Sequence, residues 1–211
     1  MTLFDCTDAP YARLTRIFVA EKGIAQPPTR TVDPRLGEAR TPEFMAKNPW
    51  AAVPVLELDD GTCLSESIAI CQYFEETHPE PPLFGKGPLA RAQICMWTRR
   101  AEWGLFFPLG EMVRHLSPPG SAYHGFVKGM VKDPARGEAV SRSAAISFGR
   151  FDAALAERPF IAAATLTIAD VVAYVAIDTA LHAEFGFALP EDRPHLRRWF
   201  ESMSARPSAR A

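Results

Sequence analysis

Three short stretches of this 211-residue chain carry groups able to do chemistry. Near the N-terminus, "DCTDAPYA" gathers a thiol, a hydroxyl, a carboxylate and a phenol (Cys6, Thr7, Asp8 and Tyr11) around Pro10. In the middle, "NPWAAVPVLELDDGTCLSES" sets Pro54 at the entry to a strand, turns at Asp60-Gly61 and closes on Glu66-Ser67 at a helix start. Proline cannot donate to a sheet ladder, and in a constrained turn it often carries a cis peptide bond. The backbone around Val53 is therefore open to something other than sheet pairing. Further on, Thr167 precedes Asp170 by three residues in front of the apolar run Val171 to Ile177, a capping box that by itself only starts a helix.

Other chemistries are excluded by what surrounds these stretches. Cys6, Cys63, Cys71 and Cys95 form no C-x-x-C pair and have no companion histidine spacing, so neither a metal site nor a disulfide framework is expected. A reducing cytoplasm suits such a chain. The formal charge is -2 and the basic residues are mixed with acids, which gives no footprint for nucleic acid or an anionic membrane. No run reaches the roughly 18 apolar residues of a membrane span, and "MTLFDCTDAPYARLTR" has no export signal. With 47% hydrophobic and 23% charged residues, the chain has the composition of a folded soluble protein.

The elements that must position these residues change character along the chain. Thr2 to Asp5 reads as a strand, and Pro10 to Lys22 as an amphipathic helix ended by Gly23. Thr29 to Val32 supplies a second strand, and Asp33 to Lys47 reads as polar and irregular. Asp60-Gly61 predicts a hairpin of two antiparallel strands, and Ser67 to Thr77 a helix that stops before Pro79. The stretch "THPEPPLFGKGP" is rich in proline and glycine and reads as a linker. Beyond Leu89 only long helical patterns follow, interrupted by the glycine- and proline-rich "HLSPPGSAYHGFVKGMVKDPARGE", which reads as a loop or broken helix. The expected organisation is an α/β unit over 1–77, a linker over 78–88 and an all-helical unit over 89–211.

Taken together, the strand-helix-strand start, N-P-x-x-x-V-P-V-L, the D-G hairpin, E-S at a helix start, the proline-rich linker, T-I-A-D and "PHLRRWFESMSARPS" resemble a cytosolic glutathione transferase of bacterial type. The resemblance spans essentially the whole chain. It implies a thioredoxin-like N-terminal domain that holds glutathione, followed by a helical-bundle C-terminal domain with a pocket for a hydrophobic electrophile, in a homodimer without metal. A cis Val53-Pro54 bond would turn the Val53 N–H and C=O outward to pair with glutathione as an added strand. The γ-glutamyl carboxylate would meet the helix N-terminus and the Ser67 hydroxyl, and Glu66 its ammonium group.

The chain also departs from the family pattern. Where many relatives hold the glycine carboxylate with a basic or amide residue before V-P, this chain has Ala51 and Ala52, so Arg40 is the substitute candidate, with a solvated loop arginine as the alternative. Where relatives often place serine or cysteine before the first helix, it has Ala9. Cys6, at the end of the first strand, is the candidate catalytic donor to the glutathione thiolate, against a plain buried cysteine. Thr7, Tyr11 and the helix-terminal N–H groups stand behind it. Trp103, Phe106, Phe107 and Met112, closed by Tyr123, are candidates for an apolar wall, and by family analogy Glu102 or Arg99 would reach across a dimer interface. Conjugation of glutathione to an apolar electrophile is the expected activity. A glutathione-dependent thiol-disulfide oxidoreductase and a non-catalytic binding protein are the alternatives.

Overall fold

The computed structural model describes residues 1–121, 123 and 131–211. Its described residues divide into two compact units, one built from Met1–Pro81 with Ala211 and the other from 82–121, 123 and 131–210.

In the first unit, β1 (Thr2–Asp5) leads through a tight turn into α1 (Pro10–Glu21), and β2 (Thr29–Thr31) returns parallel to β1. Pro10 suits the first helical position because its missing N–H has no partner there anyway, and Gly23 takes φ +67° just past the helix end. β3 (Val55–Glu57) runs antiparallel to β1, and β4 (Cys63–Ser65) antiparallel to β3, giving the order β2-β1-β3-β4. The hairpin pairs Val55 with Ser65, Leu56 with Leu64 and Glu57 with Cys63, as the Asp60-Gly61 turn predicts. α3 (Ser67–Thr77) follows directly. One layer of the core holds Phe4, Cys6, Ala12, Val32, Phe44, Val53 and Val55. The Lys22 side chain, at the cap just after α1, is fully buried and donates to Glu75 on α3 (2.7 Å) and to the Pro81 carbonyl (2.5 Å), so a charge pair and a linker carbonyl fasten the end of α1 to α3.

Asp33 to Lys47 is more regular than its polarity suggests. Two 3₁₀ turns, Pro34–Leu36 and Glu38–Arg40, lead into α2 (Pro42–Lys47), which Thr41 caps by accepting from the Phe44 N–H. The helix is only six residues long, below the length at which periodicity is readable.

The second unit is helical throughout its described residues: α4 (Gly87–Ala101), α5 (Phe107–Leu116), α6 (Pro134–Leu155), α7 (Ile168–Leu181) and α8 (Pro194–Ser204). α4 and α5 are joined by a single wide turn over Glu102–Phe106, in which the Phe107 N–H reaches back five residues to Glu102. Pro108 explains it, because it has no N–H to continue the ordinary ladder. Asp133 and Pro134 start α6 by capping and pre-set φ, so the helix begins inside the stretch expected to be a loop or broken helix; Ala122 and residues 124–130 of that stretch lie outside the described residues. α7 is buried almost all round, and Asp170 in its first turn is wholly enclosed. Its carboxylate accepts from the N–H and hydroxyl of Thr167 (2.9 and 2.8 Å), the Ile161 N–H (2.7 Å) and the Trp199 indole (3.0 Å). Burial pushes this carboxyl up, and the four donors pull it back. No described helix is long and apolar enough to cross a membrane.

Candidate active site

The site residues of the first unit sit where strands end and helices begin. At the C-terminal end of β1, Cys6 turns its side chain into the core and is 2% exposed. Its carbonyl accepts from the Ala9 N–H (2.9 Å), closing a one-turn loop whose end, Ala9, is the extended residue that opens α1. Burial pushes the Cys6 thiol up; a backbone hydrogen bond at Asp8 and the charge of Arg35 pull the other way, while Asp33 and Asp8 add to the rise.

Charged side chains grip this turn from two sides. From α1, Arg16 holds both Asp5 carboxylate oxygens (2.7 Å each) and donates to the Thr7 carbonyl (2.9 Å). From the 3₁₀ turn after β2, Arg35 pairs with Asp8 (2.9 Å) and with Asp33 (2.8 Å). Thr7 itself is exposed, as is the Tyr11 ring at 46%.

The approach to β3 is built by Asn48, which the motif N-P-x-x-x-V-P contains but the sequence reading left without a role. Buried Asn48 donates through Nδ2 to the Ala52 carbonyl (2.8 Å), accepts from the Trp50 N–H (3.1 Å), and gives its own N–H to Phe44 (2.9 Å). An asparagine side chain reaching the backbone two residues on is ordinary turn chemistry, so the signal was present in the sequence. The clamp fixes the chain through Ala51, which sits at φ +52°, and delivers Val53 to a cis peptide bond with Pro54. Among the described residues the Val53 N–H and C=O have no hydrogen-bond partner.

Glu66 stands between β4 and α3 at φ +70°, ψ 118°, a conformation that costs a non-glycine residue on the order of 1–3 kcal/mol. Its carbonyl takes the first bond of α3 from Ile70 (3.0 Å), while its exposed carboxylate pairs with no other described side chain. Ser67 follows as the first residue of α3, and its hydroxyl has no partner among the described residues. The amides of that first turn lack carbonyls four residues back, so they face outward as donors. Arg40, at the end of its 3₁₀ turn, is likewise exposed and pairs with no described acid. Cys6, Arg40, Val53, Pro54, Glu66 and Ser67 thus all belong to the first unit, four of them on the segment from β3's approach to α3's first turn.

The aromatic candidates of the second unit separate. Phe106 and Met112 are core residues, whereas Trp103 and Phe107 stay 62% and 47% exposed and tilt against each other with centroids 5.9 Å apart. Tyr123 is half-buried. Arg99 lies over the Trp103 ring (5.9 Å) and pairs with Glu102 of its own chain (2.7 Å). Among the described residues no group of three or more histidine, cysteine or acidic side chains is placed to hold a metal.

Residues 3–82 match the glutathione S-transferase N-terminal domain family, and residues 123–207 match the glutathione S-transferase C-terminal domain family. Glutathione S-transferase 2 of Saccharomyces cerevisiae is 33% identical across 100% of this chain and 88% of its own length. This chain belongs to the glutathione S-transferase family. A glutathione S-transferase domain-containing protein from Marinobacter aquaeolei VT8 has the same fold, with a TM-score of 0.88 and 35% identity over 99% of both chains. A maleylacetoacetate isomerase from Pseudomonas aeruginosa is 46% identical, but over 57 residues, 27% of this chain. For this glutathione S-transferase family member, the thioredoxin-like unit followed by a helical unit is therefore the family's architecture, as the sequence pattern implied.

Proposed function

We propose that this protein binds reduced glutathione along the Val53–Ser67 segment and transfers it, through its sulfur, to an apolar electrophile. The observation that supports this most is the conjunction of a Val53 backbone unpaired among the described residues, an open first turn at α3 and a strained Glu66 between them. Glutathione is a short peptide, so its backbone can add to Val53 as a strand does to a sheet edge. Its γ-glutamyl carboxylate matches the α3 amides and the Ser67 hydroxyl, and its ammonium group matches the Glu66 carboxylate. Arg40 is the cation offered to the glycine carboxylate, where Ala51 and Ala52 offer none.

The thiol must be held as thiolate for the chemistry, in which sulfur forms a bond to the electrophilic carbon and the leaving group departs with its electron pair. Cys6 is the side-chain donor proposed for that sulfur, through a thiol that glutathione binding must uncover at the strand end. Its thiol, pushed up by burial, keeps the proton that a donor needs and that a redox nucleophile must lose. The absence of a cysteine immediately before Pro10 argues against thiol-disulfide exchange. The first-turn amides of α1 can hold the sulfur in the same way if Cys6 does not. Trp103 and Phe107 supply exposed apolar surface suited to the second substrate. Leu89 and Met96, exposed along α4, support a homodimer that would cover them.

Calorimetric titration with reduced glutathione tests the reading. Ser67→Ala and Glu66→Ala should each weaken binding by about 1 to 3 kcal/mol, and unchanged affinity in both refutes the site. Parallel assays with an aromatic halide and with a mixed disulfide then decide between conjugation and exchange.

A further inference from the structure

We propose that Arg35, through its ion pairs to Asp8 and Asp33, sets the charge beside the β1–α1 turn and with it how readily a thiol bound at that turn ionises. The inference rests on the proposed glutathione site and assigns a positioning residue that the sequence pattern does not mark. Arg35 is the bridge between two segments far apart in sequence. Its guanidinium takes Asp33 on its own 3₁₀ turn at 2.8 Å and Asp8 in the β1–α1 turn at 2.9 Å. Both Asp33 oxygens also accept from Arg35 Nε (3.0 and 3.1 Å), and Asp33 further accepts from the Arg35 N–H (2.8 Å), so the guanidinium is aimed before it meets Asp8.

The charges around the turn are Asp5 with Arg16, Asp8, Asp33 and Arg35, and Glu38, whose carboxylate accepts from the Asp33 N–H (2.7 Å). Asp5 is neutralised by Arg16, and the Asp8–Arg35–Asp33 group is left with one net negative charge. The thiol already present at the turn senses this group: for Cys6, Arg35 works against the rise that Asp33 and Asp8 contribute. A glutathione sulfur held at the same strand end meets the same balance. Without the Arg35 guanidinium it would face two carboxylates with no cation between them, and its thiolate would be disfavoured.

Near-ultraviolet thiolate absorbance of the glutathione complex, followed against pH, reads this directly and needs no second substrate. Arg35→Gln should raise the pH at which the bound thiol ionises by about 0.5 to 1 unit. Asp8→Asn, which breaks the same bridge but removes a negative charge, should lower it. The opposite signs are the point, because a role confined to bracing the turn would move both variants the same way. Arg35→Lys should stay near the wild type. Asp8→Asn also covers the case in which Arg35→Gln does not fold. Titrations that move together, or that do not move while glutathione remains bound, overturn the proposal. A wild type that fails to bind glutathione overturns it along with the site reading, and calorimetry distinguishes that failure.

Discussion

Replacing Asp170 with alanine should destabilise the helical unit far more than the loss of one helix cap. A capping residue is ordinarily worth about 0.5 to 2 kcal/mol. Here the carboxylate is wholly buried and serves four donors: the Thr167 N–H and hydroxyl, the Ile161 N–H and the Trp199 indole. Alanine leaves all four without an acceptor in a place water does not reach, and each buried orphan costs about 1 to 3 kcal/mol. Some are relieved as Thr167 rotates and the chain near Ile161 relaxes, so the net loss should be about 3 to 5 kcal/mol. For a chain of this length that lowers Tm by roughly 6 to 20 °C. Urea unfolding followed by circular dichroism gives the free energy, and an unchanged slope would show that the denatured state is not responsible. Asp170→Asn keeps one acceptor oxygen but turns an amide toward Thr167, so it should fall between wild type and alanine. A loss below about 1 kcal/mol for alanine would return Asp170 to the role of a simple cap and refute the four-donor account.

At Cys6, serine should keep most conjugation activity and alanine should lower it, because a hydroxyl donates as a thiol does; equal loss of thiol exchange in both would instead mark a redox nucleophile. Lys22→Met leaves Glu75 buried without its cation, and thermal or urea unfolding should show a loss of about 3 to 5 kcal/mol, much of it recovered when Glu75→Leu is added. Glu111, on α5, is nearly enclosed and pairs with Arg114 (2.5 Å) and Arg136 (2.7 Å). Burial pushes its carboxyl up, but the two guanidinium groups outweigh that and hold it below the usual carboxylate range. A depressed native value means stability present above the unfolded value and lost as pH falls through the folded one. Glu111→Gln should therefore be less stable than wild type at pH 7, by about 1 to 2 kcal/mol, and the gap should close as pH falls from the ordinary carboxylate value through the lower folded one; a gap that is flat with pH contradicts the pairing.

The sequence made the strands, the hairpin and most helices legible because each is a local matter: Pro10 and Gly23 bracket α1, Asp60-Gly61 turns the hairpin, and Thr167 with Asp170 starts α7. Pro54, Glu66 and Ser67 were legible as a motif, and the structure adds why they differ from an ordinary strand and helix start: the Val53 backbone has no partner among the described residues and Glu66 sits at positive φ. What escaped was non-local. Nothing near Asp170 in sequence shows that Ile161 and Trp199 come to it, nor does "VDPRLG" show that Arg35 meets Asp8 some 27 positions earlier, the difference between the two numbers. Trp103 and Phe107 recur at the same spacing as core aromatics, so only the structure separates them from buried Phe106.

The wide turn between α4 and α5 bears on how this helix pair can change length over evolutionary time. In a regular helix, inserting or removing one residue swings everything beyond it by about 100°, which here would take Leu109, Met112 and Val113 off their buried face. Over Glu102–Phe106 the backbone already carries one residue more than the ordinary repeat, and Trp103 within it is mostly in solvent. A lineage that dropped one residue there would tighten the turn and lose an exposed position while α5 kept its orientation. A family member one residue shorter at this point can thus share the same packing on either side of it.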